Sequence, residues 1–449
     1  AVLAKLSQWQ DYKLGLLMTW GTYSQWGIVE SWSLCGEDEG WCERRGPFAN
    51  DYEKYKKAYE NLKTSFNPLK FDPDRWAGAA SEAGMRYVIF TTKHHDGFCM
   101  FDTKTTDYKI TSEEGAFRVN PKSNVTREIF DAFRKKGLVA GVYYSKPDWH
   151  SPDYWWQYFP TPDRHVNYDP AKYPDRWNRF KNYTYSQIEE LMTGYGPIDI
   201  LWFDGAWVRP LNNMPKEFES WGKKHNYNQD VDMPRIAKMA RQHQPGILVV
   251  DRWVNGLYEN YLTPENKVPE KALSVPWESC ITMATSWSYV KTDKYKSVRE
   301  LVHLLVDVVA KGGNLLLNIG PSPEGEWAPD AYDRLKGIAA WMKVNKESIY
   351  ETRAIAPYKE GKVCLTRKKE GGAVYAIYLP EKNENRPPRT IGLKSLQPAA
   401  GATVTMLGVD GELRWKPDGN GVVIDLPESI QQNPPCENAW VIRISRIRR

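Results

Sequence analysis

From about residue 74 onward the chain alternates between two hydrophobic periods, and this alternation limits its fold more than any other feature. Asp74–Gly84, Asn124–Lys136, Arg179–Gly194 and Met233–Gln244 read as helices. Each is followed by a short apolar run of strand character: Tyr87–Phe90, Leu138–Tyr144, Ile198–Phe203 and Ile247–Val250. The helically spaced Val298, Leu301, Val302 and Leu305 lead in the same way into Asn314–Leu317. Repeated units of this length build a parallel sheet with crossover helices. This many units, with polar residues gathered at the strand ends, predict an α/β fold: a (β/α)8-like catalytic barrel over residues 1–350.

Beyond the helix predicted over Asp330–Asn345 the character changes, near Thr352–Pro357. Val363–Leu365, Ala373–Leu379, Thr390–Leu393, Thr403–Leu407, Gly421–Leu426 and Trp440–Ser445 are short strand-like runs with no helix pattern between them. Glu370-Gly371-Gly372, Asp410-Gly411 and Asn420-Gly421 supply the hairpin signals. A C-terminal β-sandwich over residues 351–449 follows, and 449 residues accommodate both domains.

The strand Ile198–Phe203 ends on Asp204-Gly205. Desolvating an unpaired carboxylate there costs several kcal/mol or more. In a parallel barrel the strand end is where the active site lies, which makes Asp204 the first candidate for a reacting group. The competing role for an Asp-Gly pair is to close a turn. Other strands end in similar company. Lys93-His94-His95-Asp96-Gly97-Phe98 follows Phe90, Ser145-Lys146-Pro147-Asp148-Trp149 follows Tyr144, and Asp251-Arg252-Trp253 follows Val250. Four such ends at one mouth collect imidazoles, a carboxylate, a guanidinium and aromatic rings, a composition suited to a sugar pocket.

The rest of the composition points the same way. Twenty Trp and 26 Tyr provide flat rings for stacking on sugar faces. The net charge of +5 is spread without basic blocks except for the tail Arg443, Arg446, Arg448 and Arg449, so no stripe for nucleic acid exists. Six cysteines without a CxxC pair give neither a zinc ribbon nor a disulfide framework. The histidines lack HxH or HExxH spacing, and neighbouring strand residues point to opposite faces, so no metal and no cofactor is expected. No apolar run approaches the ~20 residues that a membrane span requires. The start Ala1-Val2-Leu3, without Met, is read as the result of processing, and a secreted, periplasmic or lysosome-like location is expected.

Glycoside hydrolysis needs a second carboxyl group beside Asp204. Glu259, Glu265 and Glu278 are the candidates. Glu265 lies in Tyr261-Leu262-Thr263-Pro264-Glu265, which has no strand or helix pattern and reads as a loop able to close over sugar. Glu278, beside Trp277, reads as part of an internal hydrogen-bond network.

The motifs Lys93–Phe98, Leu201-Trp202-Phe203-Asp204-Gly205, Asp251-Arg252-Trp253, Trp277-Glu278-Ser279-Cys280 with Ser286-Trp287, and Gly313-Asn314-Leu315-Leu316-Leu317-Asn318-Ile319-Gly320-Pro321 resemble those of glycoside hydrolase family 29, the α-L-fucosidases. They occur in that family's order over most of the first ~325 residues. The resemblance implies a barrel followed by a β-sandwich and a retaining exo-hydrolase that removes terminal α-L-fucose from an oligosaccharide or polysaccharide. It implies Asp204 as nucleophile and Glu265 as acid/base, with Glu278 in reserve. It also implies a sugar pocket lined by Thr19, Trp20, His94, His95, Tyr144, Trp202, Arg252 and Trp287, with Tyr143 open as the alternative to Tyr144. One departure stands out: the family's His-Trp-Gly is replaced by Thr19-Trp20-Gly21, and Leu17 stands where an aromatic residue is usual. The shorter Thr19 opens space, so an exo-α-L-galactosidase acting on an algal-type galactan is the alternative activity. A non-catalytic carbohydrate-binding protein is a second alternative, opposed by the cost of keeping unused buried carboxylates. Oligomeric state is left open.

Overall fold

A computed structural model describes residues 1–35, 40, 42–161, 163–213 and 227–448; Arg449 of the basic tail lies outside them. Seven strands form one parallel sheet: β1 (Leu14–Met18), β2 (Tyr87–Lys93), β3 (Val139–Ser145), β4 (Ile200–Asp204), β5 (Leu248–Asp251), β6 (Glu278–Thr282) and β7 (Asn314–Ile319). Their order is β5-β4-β3-β2-β1-β7-β6. Almost every strand residue is buried, as it must be when helices cover one face and side chains fill the other. The helices Pro73–Glu82, Val125–Lys135, Pro174–Gly194, Met233–His243 and Val298–Ala310 come within a few residues of their expected bounds. The third begins earlier than predicted because Pro174, with its fixed φ and missing N–H, opens it.

Alternation along the strands divides the core in two. Leu17, Ile89, Tyr143, Trp202, Val250 and Leu316 belong to a cluster inside the curled sheet. Leu16, Met18, Val88, Phe90, Tyr144 and Phe203 belong to the layer between sheet and helices. Trp9, on the helix Val2–Tyr12, stacks on Tyr261 at 3.9 Å and fills the interior at the opposite end from the strand C-termini.

The two sheet edges, β5 and β6, are joined by an extended segment, residues 258–266. Asp251 N–H donates to Tyr258 O and Asn260 N–H to Val249 O on one side. Leu262 N–H donates to Pro276 O, Cys280 N–H to Pro264 O and Asn266 N–H to Cys280 O on the other. The sequence reading of this stretch as a free loop is therefore corrected. Its apolar pattern is too short for a strand, but its backbone completes the barrel wall.

The C-terminal region contains β8 (Thr352–Glu360), β9 (Val363–Lys368), β10 (Val374–Tyr378), β11 (Thr390–Leu393), β12 (Val404–Met406), β13 (Trp415–Asp418), β14 (Gly421–Asp425) and β15 (Trp440–Ile444). They pair antiparallel as β12-β15-β10-β9-β8 and β11-β14-β13 around a separate apolar core. One short helix, Glu428–Gln432, interrupts a region expected to have none. The sandwich meets the barrel through Trp341 Nε1–H, which donates to Ala439 O, and through His303 Nε2 at 2.8 Å from Asn438 O.

Candidate active site

At the C-terminal ends of the strands lies a cavity of about 260 Å³ lined by groups from most of the parallel strands. Asp204 ends β4. Its backbone carbonyl accepts N–H of Lys146, the residue after β3, and Lys146 Nζ donates to Asp251 Oδ1 across β4 at 2.6 Å. This buried ion pair ties the neighbouring strand ends together around the carboxylate. Gly205 turns the chain away with φ +89°, and a Cβ there would fall 2.3 Å from Pro147. The Asp-Gly pair thus closes a turn and carries a partly buried acid at once.

The Asp204 carboxylate receives Tyr143 Oη–H on Oδ2 (2.7 Å) and Arg252 Nη1–H on Oδ1 (2.9 Å). Burial works against its charge, but Arg252, His95 and Tyr143 outweigh burial and hold the carboxyl well below the usual carboxylate range. The same guanidinium donates through Nη2 to Glu265 Oε2 at 2.6 Å and through Nε to Thr263 Oγ1. Its Cζ lies 4.3 Å from the Trp202 ring centre. A single arginine therefore bridges the two carboxyl groups.

His94 and His95 follow β2 and both face the cavity, because alternation no longer applies beyond the strand end. Their ring centres are 4.2 Å apart. Nδ1 of His94 meets Ser31 Oγ and Nδ1 of His95 meets Ser145 Oγ, each at 2.6 Å, which leaves Nε2 of each for the cavity. Burial pushes both imidazoles down, that of His95 to about 4, so both are neutral at pH 7. One ligand atom each from His94, His95 and Asp204 lies within 4.8 Å of the others. Two neutral imidazoles beside a carboxylate equally suit the hydroxyls of a sugar ring.

The structure corrects two pocket residues. Tyr144 points outward, where its hydroxyl donates to Gln187 Oε1 and Lys93 Nζ sits 4.3 Å from its ring. Tyr143 takes the inward position because the register pairs it with Trp202. Trp20 also faces outward, packed on Phe66, Phe71 and Trp76 with Nε1–H donating to Ser322 O. Thr19, of opposite parity, lines the cavity, as do Trp202, Arg252, Glu265 and Trp287.

The remaining acids are placed elsewhere. Glu259 accepts Trp253 N–H and Asn255 N–H and stabilises the turn after β5. Glu278 lies wholly buried inside the barrel, accepting Tyr87 Oη–H at 2.6 Å and Trp202 Nε1–H at 3.2 Å. Burial raises its carboxyl to about 7.

Leu17 and Trp253, named above at the family departure and at a strand end, also line the cavity; so do Glu30, Trp32, Arg164 and Trp207, which sequence reading did not single out. Trp207 follows a strand end and was findable on that ground. Glu30 and Trp32 lie on a 3-10 segment, Glu30–Cys35, with no hydrophobic period to announce it. Glu30, pushed up to about 7 by burial, accepts Ser288 N–H.

A parallel barrel whose mouth sets two carboxyl groups on either side of one guanidinium, walled by indoles and imidazoles, defines a glycoside hydrolase. The particular family follows from comparison. The α-L-fucosidase family model matches residues 2–347, and that of the α-L-fucosidase C-terminal domain matches residues 358–445. The chain belongs to the α-L-fucosidase family. It is 28% identical to human tissue α-L-fucosidase over 470 residues, covering 99% of this chain and 90% of the human one. It superposes on α-L-fucosidase isoenzyme 1 of Paenibacillus thiaminolyticus with a TM-score of 0.75 at 30% identity, over 99% of each chain. The Thermotoga maritima α-fucosidase in complex with fucose matches with a TM-score of 0.73 at 26% identity, over 98% of this chain and 96% of that one.

Proposed function

We propose that this protein removes terminal α-L-fucose from glycans by a retaining double displacement in which Asp204 is the nucleophile and Glu265 the general acid/base. The observation that carries the assignment is the Arg252 bridge, Nη1 to Asp204 and Nη2 to Glu265. Two carboxyl groups that share one guanidinium are spaced by the width of that group. Joined through one guanidinium, they lie close enough to flank a single glycosidic bond, as a double displacement requires.

In the first step an Asp204 oxygen attacks the anomeric carbon as the glycosidic bond breaks, and Glu265 delivers its proton to the departing oxygen. Arg252 and the Tyr143 hydroxyl keep Asp204 ionised for the attack. In the second step Glu265 takes a proton from water, which displaces Asp204 from the sugar with net retention. His94 and His95, held by Ser31 and Ser145, present Nε2 to ring hydroxyls, and Trp202 and Trp287 provide apolar walls. Plasma and tissue forms are named among the relatives. They support a secreted or lysosome-like setting, and no helix among the described residues is long and apolar enough to cross a membrane.

Nitrophenyl α-L-fucoside and nitrophenyl α-L-galactoside assayed side by side test the reading. Faster hydrolysis of the fucoside, releasing L-fucose with initial α-configuration, is expected. A preference for the galactoside moves the assignment to the alternative sugar, inversion removes the double displacement, and failure on both removes the reading.

A further inference from the structure

Thr19 lines the cavity, and its hydroxyl is already committed. It donates to Asn318 Oδ1 at 2.8 Å. Asn318, the penultimate residue of β7, pairs with Leu17 of β1, is 1% exposed, and donates through Nδ2 to Trp287 O at 2.7 Å. The amide orientation is determined by chemistry: a backbone carbonyl only accepts, so Nδ2 must face Trp287 and Oδ1 must face the hydroxyl. A chain of two hydrogen bonds therefore runs from the side chain at position 19 to the backbone of a residue in the sugar-cavity wall.

That wall is thin. Ser286, Ser288 and Tyr289, flanking Trp287, line a second cavity of about 290 Å³ together with Asn318 and Gly320. The Trp287 backbone thus runs between two cavities, while its ring packs on the apolar cluster inside the barrel. Its ties are polar and close. Besides Asn318, Glu30 Oε1 accepts Ser288 N–H and Ser288 Oγ–H donates to Ile28 O. The backbone of 287–289 also passes so near Gly320 that a Cβ there would meet Ser288 C at 2.6 Å and Trp287 O at 2.8 Å.

We propose that Asn318 is a positioning residue of the sugar pocket, transmitting the side chain at position 19 to the Trp287 wall, so that the Thr19 hydroxyl governs sugar affinity through Asn318. This rests on the fucosidase reading for its choice of ligand, but the coupling itself has a readout that needs no ligand. The Asn318 amide supplies an acceptor on one side and a donor on the other; an ionised aspartate would oppose a carboxylate oxygen to the Trp287 carbonyl.

The experiment compares Thr19→Val, Thr19→Ser and Asn318→Asp with the wild type by amide hydrogen exchange over residues 284–290, L-fucose Kd and steady-state kinetics. Thr19→Val keeps the shape and loses the donor. It should speed exchange in 284–290 and raise both Kd and KM roughly 3- to 10-fold with kcat nearly unchanged, as expected for one lost hydrogen bond. Thr19→Ser should restore all three readouts. Asn318→Asp should move them in the same direction by roughly 10-fold or more. Weaker sugar binding in Thr19→Val with unaltered exchange in 284–290 would mean that Thr19 touches the sugar directly and would overturn the proposal. Wild-type exchange in Asn318→Asp would overturn it as well. If the wild-type protein neither binds nor cleaves L-fucosides, the fucosidase reading fails, and the exchange data still decide whether the coupling exists.

Discussion

Asp204, partly buried at the barrel mouth, and Glu278, wholly buried in the interior beneath it, are both carboxyl groups drawn away from water, and Trp202 lies between their surroundings. Burial alone would leave each protonated. Asp204 faces a guanidinium and a phenol and remains ionised. Glu278 faces a phenol and an indole, both neutral, and burial carries it up to about 7. The difference lies in the partners: a full positive charge at hydrogen-bond distance outweighs desolvation, whereas neutral donors only reduce its effect. The barrel thus maintains a charged acid at its mouth, as the nucleophile proposed above requires, and a readily protonated one where the core anchors the Trp202 indole.

The most severe way to break this contrast is to remove the mouth charge. Asp204→Asn should lower kcat by roughly 10⁴-fold or more at unchanged fold. Azide added to Asp204→Gly should yield a β-configured glycosyl azide, and the absence of that product by NMR would count against Asp204 as nucleophile. Glu265→Ala should cost about 10²- to 10⁴-fold on substrates with poor leaving groups and far less on activated nitrophenyl glycosides, with partial recovery in azide. If Glu278→Ala shows that leaving-group dependence and Glu265→Ala does not, the two roles must be exchanged.

A milder break is Arg252→Lys, which leaves a point charge where a fork spanned two carboxyl groups. A loss of about 10²-fold in kcat/KM is expected, with the acid limb of the pH profile moved upward as Asp204 becomes easier to protonate. An unmoved acid limb would show that Arg252 does not set the charge of Asp204. The smallest effect on catalysis belongs to Glu278→Gln, whose amide oxygen still accepts the Trp202 N–H. Its signature is in stability. The folded-state carboxyl titrates at about 7 against an ordinary value of 4.5. The folded protein therefore binds more protons between those values, and its stability falls as pH rises through that window, by about 3 kcal/mol in all. Chemical denaturation from pH 4.5 to 7 should show Glu278→Gln gaining on the wild type as pH increases; parallel curves would mean that Glu278 is already ionised in the fold.

How much of this could be read from the chain depends on which residues carry parity information. The αβ alternation, the change to hairpins near Thr352 and the acids at strand ends were legible because periodicity and burial cost are local properties. Inward and outward facing were not, because they depend on register. Tyr143 and Tyr144 are adjacent apolar residues of equal β-propensity, and only the pairing of Tyr143 with Trp202 separates them. Thr19 and Trp20 differ in the same way: the outer layer offered Trp76 and Phe71 to one, and the cavity received the other. The strand β1 was missed because it precedes the first clear helix–strand unit, and β8 because its outer half is exposed. The segment carrying Glu265 is held by hydrogen bonds to strands distant in sequence, which no short-range pattern announces.

That segment has a further consequence. Residues 258–266 form the seam of the cylinder, and Glu265 is a stitch in it. Lengthening the segment to redirect the acid would unfasten β5 from β6, and shortening it would draw the strands out of register. Side chains on the rim, such as Trp253 and Trp287, can vary without disturbing that closure, whereas the segment that carries the proposed acid is fixed in length by it.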